Sequence, residues 1–216
     1  MKFNRWLISA CCCCLLLLLA TMSYGQKGFT LISNTAQLQA DLQKSAAKTQ
    51  SLKSDFTQIK HMKMLDDKVR SKGTFHFKQT DKVRIEYSHP FSYLVVMNGS
   101  QLMIKEGGKI SKINTSNSKT MQSVNKIMID CMRGTVFQNK DFNIKAFYSN
   151  SQYLLQLSPV NSAMSGLFTT INIYLSKQDN SVDKLELKEK NGDYTEMIFM
   201  NKTHNLSLKD ALFSVR

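Results

Sequence analysis

Between Lys72 and Pro90 the chain alternates strictly between apolar and polar positions. Phe75 and Phe77 share one face against Thr74, His76 and Lys78, and Val83, Ile85 and Tyr87 share one face against Arg84 and Glu86. A period of two with one greasy side marks strands that are half buried. The short polar link Gln79-Thr80-Asp81 joins them as a hairpin. The same pattern continues downstream, with strands expected at Tyr93–Met97, Gln101–Lys105 and Lys109–Ile113. They are separated by Asn98-Gly99 and Gly107-Gly108, both tight-turn signals. Five more are expected at Phe142–Ser149, Gln152–Ser158, Thr169–Ser176, Val182–Lys190 and Tyr194–Thr203, the last pair joined by Asn191-Gly192-Asp193. A long strand from Leu52 to Leu65, with a turn at Asp66-Asp67-Lys68, precedes the hairpin.

Two stretches change period. Leu31–Gln50 carries Leu31, Leu38, Leu42 and Ala46 at helical spacing without Gly or Pro, and its narrow stripe suits a helix lying on a surface. Met121–Met132 places Met121, Val124, Ile127, Met128 and Cys131 on one helical face and ends at Arg133-Gly134. Asn114–Thr120 reads as a polar loop, Val160–Leu167 as irregular or a single turn, and Phe213 as an apolar residue returning to the sheet. The sum is one α+β domain, an antiparallel sheet of about ten or eleven strands with two principal helices.

The first residues stand apart. Lys2 and Arg5 precede the apolar run Trp6–Ala20, and Ser23-Tyr24-Gly25 supplies small residues ahead of Gln26. This is read as a secretory signal peptide over residues 1–25, cleaved before Gln26, leaving a single domain over 26–216. A membrane anchor is the competing reading, but the run falls short of the about 20 residues a span needs. A lipoprotein signal at Cys11 would lack a hydrophobic segment before it. The leader takes Cys11–Cys14 with it, so Cys131 is left without an internal partner and no disulfide framework exists.

The formal net charge of +13 loses only two units with Lys2 and Arg5, and the basic residues are scattered singly. That pattern suits a solvated cationic surface or attraction to an anionic partner, and it does not suit nucleic acid, which calls for basic runs interleaved with aromatics. His61, His76, His89 and His204 show no ligand spacing, Asp66-Asp67 reads as turn chemistry, and Glu186 and Glu189 fall on opposite faces of one strand. Asn98, Asn114, Asn201 and Asn205 begin glycosylation sequons, which matter only in a glycosylating source. No nucleophile elbow, phosphate loop or metal motif appears, so no catalytic set, metal site or cofactor is expected.

What remains is a covering problem. Two modest helices cannot blanket so many strands, so the sheet either closes on itself or curls around an apolar concavity. Phe56, Phe75, Phe77, Val83, Ile85, Tyr87, Val95 and Met97 would line that concavity, with Met121, Val124, Ile127 and Met128 as a lid. Of 12 methionines only Met1 and Met22 fall in the leader, and thioethers suit surfaces that repack. The same residues also make an ordinary core with methionine as filler, and the pattern alone leaves both readings open.

Several pieces in order resemble a known family, the periplasmic lipoprotein carriers called LolA. They are Ser51-Leu52-x-x-x-Phe56-Thr57-Gln58, Gly73-Thr74-Phe75-x-Phe77-Lys78, Arg84-Ile85-Glu86-Tyr87 with Pro90, Asn98-Gly99, and Leu157-Ser158-Pro159. The resemblance implies an incomplete, half-open β-barrel with helices as a lid over a hydrophobic cavity. It further implies a monomeric, non-enzymatic carrier for the acyl chains of lipoproteins, loaded by an inner-membrane ABC transporter and unloaded at an outer-membrane acceptor. A lipid- or lipoprotein-binding sensor on the same scaffold is the alternative. One departure stands out: many relatives read Lys-Arg-Pro where this chain reads Lys78-Gln79-Thr80, and Arg84 occupies a different motif position. The family's arginine role in lid closure therefore does not transfer to Arg84.

Overall fold

The computed structural model describes residues 28–64, 67–79 and 81–215. The signal peptide read at 1–25, with Cys11–Cys14, lies outside the described residues, as do Leu65, Asp66 and Thr80 of the two turns. The described residues form a single 12-stranded antiparallel sheet in the order β1-β8-β9-β10-β11-β12-β2-β3-β4-β5-β6-β7. The strands are β1 (Thr30–Leu31), β2 (Ser51–Met62), β3 (Asp67–Lys78), β4 (Lys82–His89), β5 (Tyr93–Asn98), β6 (Gln101–Glu106) and β7 (Lys109–Asn114). There follow β8 (Phe142–Tyr148), β9 (Gln152–Pro159), β10 (Phe168–Ser176), β11 (Val182–Glu189) and β12 (Tyr194–His204). Two meanders, β2–β7 and β8–β12, are therefore welded by one non-local pair, in which Ile198 faces Thr57 and Phe199 faces Phe56.

Strand β7 and the β1–β8 edge do not pair with each other, so the sheet stays open, as the half-barrel expectation required. β7 suits an edge, because Lys109 and Lys112 are exposed and charged side chains discourage further strand addition. The opening dictates where the helices go. Helix α1 (Ala36–Lys48) links edge strand β1 to the middle of the sheet, and helix α2 (Lys119–Arg133) runs from edge strand β7 to β8, next to the opposite edge. A connection of that kind has to cross the mouth. Leu38 and Leu42 of α1 and Ile127 of α2 are accordingly buried against Phe142, Leu155 and Ile171.

Three boundaries differ from the sequence reading, each for a local reason. The first helix begins at Ala36, not Leu31: Asn34 Oδ1 accepts from Ala36 N at 3.0 Å, and Thr30–Leu31 instead pair with Tyr148 and Phe147. That pairing supplies the twelfth strand. Asp67 and Lys68 are not turn residues but the start of β3, paired with Met62 and His61. The segment from Lys119 to Thr120 is already helical, because Ser118 Oγ caps α2 by accepting from Met121 N at 3.4 Å. At the far end Gly134 adopts φ 68, the left-handed cap expected after Arg133. Residues 160–167 hold the single turn α3 (Ser162–Ser165), capped by Asn161 Oδ1.

The outer face of β3–β6 is covered by the C-terminal segment. Phe213 is fully buried with Val96 and Met103, Arg84 donates to the Leu212 carbonyl at 3.2 Å, and Asp210 accepts from Lys78 and Lys82 at 2.8 Å each. Those two lysine bonds hold the Asp210 carboxyl down to about 2. On the same face His76 is half-buried, with its Nδ1 buried and unpartnered among the described residues. Burial, then the charges of Lys53 and Arg84, lower its pKa below 6.5. The unfolded chain thus binds this proton more readily than the folded one, so stability falls as pH drops below 6.5 toward the folded value. His76→Gln is expected to flatten that slope in urea midpoints measured across pH 5–7 (a slope that persists would assign it to another group).

Candidate functional site

The concave side of the sheet is greasier than the chain can fill. Its core falls into two clusters, one of α1, α2 and β8–β10 residues and one built on Phe56, Phe75, Phe77 and Val83. Between them, under α2, lies an apolar cavity of about 200 Å³. The β3–β4 hairpin supplies Phe75 and Ile85 to its wall, α2 supplies Val124, Ile127, Met128, Cys131 and Met132, and α3 supplies Met164. β2 adds Leu52 and Ser54, and β10–β12 add Ile171, Ile173, Leu185, Leu187, Met197 and Phe199.

Of the residues expected from sequence, Phe75, Ile85, Val124, Ile127 and Met128 thus face the void directly. Phe56, Phe77, Val83 and Met97 sit behind that wall, each at most 4% exposed. Tyr87, Val95 and Met121 pack against the same cluster at its margin. Sequence reasoning misses the β10–β12 contribution. The alternation Ile171/Ile173 and Leu185/Leu187 is visible in the chain, but only the β12–β2 pairing brings it opposite Phe75.

The polar groups at the site are few and neutralised. Tyr87 donates to Gln58 Oε1 at 2.8 Å, and its phenol is pushed up to about 12 by burial and then by Tyr93. The Cys131 thiol is likewise pushed up to about 12, by burial and then by Asp130, so it remains a protonated, apolar wall atom at neutral pH. Lys202 reaches the rim through its methylenes while its ammonium binds Ser181 Oγ and Asp183. Ser54 Oγ is buried without a partner among the described residues. A wall this apolar favours contact with hydrocarbon over contact with water.

The lid is held at its edges. Ser123 donates to Asp141 at 3.0 Å, Asn125 to the Gly99 carbonyl at 3.0 Å, and Arg133 pairs with Asp81. Asp130 gathers Lys126, Thr135 and Asn139, fixing the last turn to the loop that follows. Over the void itself α2 presents only side-chain carbon and sulfur. Gln79 donates to the Thr49 carbonyl at 3.0 Å and so fastens the end of α1. Arg84 lies on the opposite, outer face with Glu86 and Leu212, far from any lid role.

Comparison with known proteins agrees with this geometry. A search of curated proteins finds no match. Among solved structures, an uncharacterized conserved protein from Thermus thermophilus aligns with TM-score 0.50 and 9% identity, over 83% of this chain and 93% of that one. The Pseudomonas aeruginosa MucA/MucB complex aligns with TM-score 0.50 and 9% identity, over 85% of this chain and 62% of that one. A LolA superfamily protein from Nitrosomonas europaea aligns with TM-score 0.45 and 9% identity, over 82% of this chain and 96% of that one. Identities this low speak to the fold alone. No helix among the described residues is long and apolar enough to cross a membrane. The family profile described as "Outer membrane lipoprotein carrier protein LolA" matches residues 47–216, and the chain accordingly belongs to the LolA family.

Proposed function

We propose that this protein is a periplasmic carrier that takes the acyl chains of lipoproteins into the cavity beneath α2 and conveys them from the inner to the outer membrane. It would receive them from a lipoprotein-releasing ABC transporter and surrender them to an outer-membrane acceptor, acting as a monomer and without chemistry of its own. The observation that carries this reading is the apolar void of about 200 Å³ between an open sheet and a helix whose side-chain hydrogen bonds to the rest of the chain lie at its margins.

The energetics fit such a task. Each CH₂ withdrawn from water gains about 0.8 kcal/mol, so a chain of about fourteen carbons gains roughly 10 kcal/mol. Two or three chains fully buried would meet the ceiling of roughly 20 kcal/mol on non-covalent affinity, and cargo would not leave. A dry cavity of about 150 Å³ holds one benzene. The resting void therefore admits part of one chain, and α2 must lift to admit more. Raising it breaks a few peripheral hydrogen bonds and exposes Val124, Ile127, Met128, Cys131 and Met132, and this opposes part of the binding gain.

Ile85→Glu and Met128→Glu each place a carboxylate in the wall. Both are expected to abolish co-purification of acylated lipoprotein while circular dichroism and cooperative unfolding persist. Cargo retained undiminished in both variants would overturn the cavity assignment. A lipoprotein-binding sensor is the second reading, favoured by the fold shared with MucB, whose structure is of a complex with MucA. Depletion separates the two, since loss of a carrier strands lipoproteins in the inner membrane and loss of a sensor does not.

A further inference from the structure

The two ends of strands β2–β7 are finished in opposite ways. At one end the connections are fastened to the helices: Gln79 to the Thr49 carbonyl, Asp81 to Arg133, and the Gly99 carbonyl to Asn125. At the other end lie the β2–β3, β4–β5 and β6–β7 connections, fixed there by the pairs Met62 with Asp67, Tyr87 with Tyr93 and Glu106 with Lys109. No described helix covers them. The first two carry a bare apolar side chain, Met64 at 95% and Phe91 at 79% exposure, and Ile110, just inside β7 beside the third, is 54% exposed. The β2–β3 hairpin also stands proud of its neighbour, because β4 pairs with β3 only from Lys72 onward and leaves Asp67–Ser71 projecting.

The charge at these tips is positive on balance. Lys63, Lys68, Arg70, Lys72, Lys105 and Lys109 stand on or next to the three connections in sequence, against Asp66, Asp67 and Glu106 in the same stretches and Asp193, which accepts from Lys63 N at 2.9 Å. No described carboxylate lies within ion-pairing distance of any of those six cations, although Lys60, three residues before Lys63, is paired with Glu189. Unpaired cations grouped around single, separated apolar tips suit one kind of partner. A protein interface needs a contiguous packed centre. A bilayer accepts separate side chains at the headgroup level and rewards each nearby lysine when its lipids are anionic.

We infer that this end of the sheet docks on an anionic lipid surface, with Met64 and Phe91 entering the headgroup region and Lys68 and Arg70 held over the phosphates. The site is distinct from the cavity and does not depend on the cavity reading, although a carrier that meets two membranes would have use for it.

Flotation of the purified protein with vesicles of phosphatidylethanolamine and phosphatidylglycerol tests this against phosphatidylcholine vesicles alone. Binding is expected on the anionic vesicles only, and it should weaken in high salt. Lys68→Gln with Arg70→Gln should weaken it about thirtyfold. Met64→Ser with Phe91→Ser should weaken it about tenfold. Lys44→Gln with Lys48→Gln on exposed α1 should leave it within about twofold. Equal binding to neutral vesicles, or an equal loss from the α1 pair, would overturn the proposal. So would binding to a soluble polyglutamate in preference to the vesicles, which would point to an acidic protein instead. Cargo capture is read in the same variants and should be unchanged. Its failure in Ile85→Glu with vesicle binding intact leaves this inference standing, so the two proposals fail separately.

Discussion

Gly73→Ala should destabilise the protein by about 3 kcal/mol or more, although glycine-to-alanine changes inside a strand ordinarily gain stability. An added Cβ would lie 2.1 Å from the Glu86 carbonyl oxygen and 2.7 and 2.8 Å from two atoms of the Phe56 ring. The backbone contact admits no rotamer escape. Here the β3–β4 register shifts, between Lys72 paired with His89 and Gly73 paired with Tyr87. The ring of Phe56 lies across the bare backbone, 1% exposed, with Tyr87 edge-on at 5.0 Å between centroids. Glycine thus provides the floor on which an aromatic pair builds the deepest part of the sheet. Urea unfolding measures the loss. Adding Phe56→Leu should recover only part of it, since the Glu86 carbonyl remains in the way. A Gly73→Ala variant within about 0.5 kcal/mol of the parent would mean that the approach of these strands is not as close as described.

The same stretch marks how much of the molecule is legible in its sequence. Phe75, Phe77, Val83 and Ile85 can be assigned to one face because hairpin alternation is a local property, and they do share it: Phe75 pairs with Ile85 and Phe77 with Val83. Helix α2 is legible for the same reason, its period being written in Met121, Val124, Ile127 and Met128. The fold class follows from having too many strands for two helices. What local pattern cannot carry is pairing at a distance. Thr30–Leu31 is too short to announce itself and exists as a strand only because Phe147 and Tyr148 offer an edge. The first residues of β3, Asp67 and Lys68, read as turn, since they answer to β2 and to solvent instead of to a core. The wall of Ile171, Ile173, Leu185 and Leu187 belongs to the cavity only once β12 lies beside β2, a contact between residues more than a hundred apart in sequence. Half the site is therefore visible as strands without being visible as a site.

That unfilled wall leads to the second large effect. A void of about 200 Å³, if left unfilled, would carry a penalty of roughly 5 kcal/mol at about 24 cal/mol per Å³, relative to a packed interior. A chain selected for stability alone would close it with one or two larger side chains. Val124→Phe does so from the lid side, because Val124 faces the void from the middle of α2, where no backbone bond has to move. A phenyl group there should fill roughly a quarter of the space and raise stability by about 1 kcal/mol, seen as a higher urea midpoint with unchanged slope. The same substitution should lower capture of acylated cargo about tenfold, since hydrocarbon and ring compete for one volume. The opposed signs are what separate a binding cavity from a packing defect. If the variant gains stability and still captures cargo fully, the void is a flaw in the core and lipid binds elsewhere. If it loses stability, the wall is already packed at Val124 and there is no room beneath α2 for a guest.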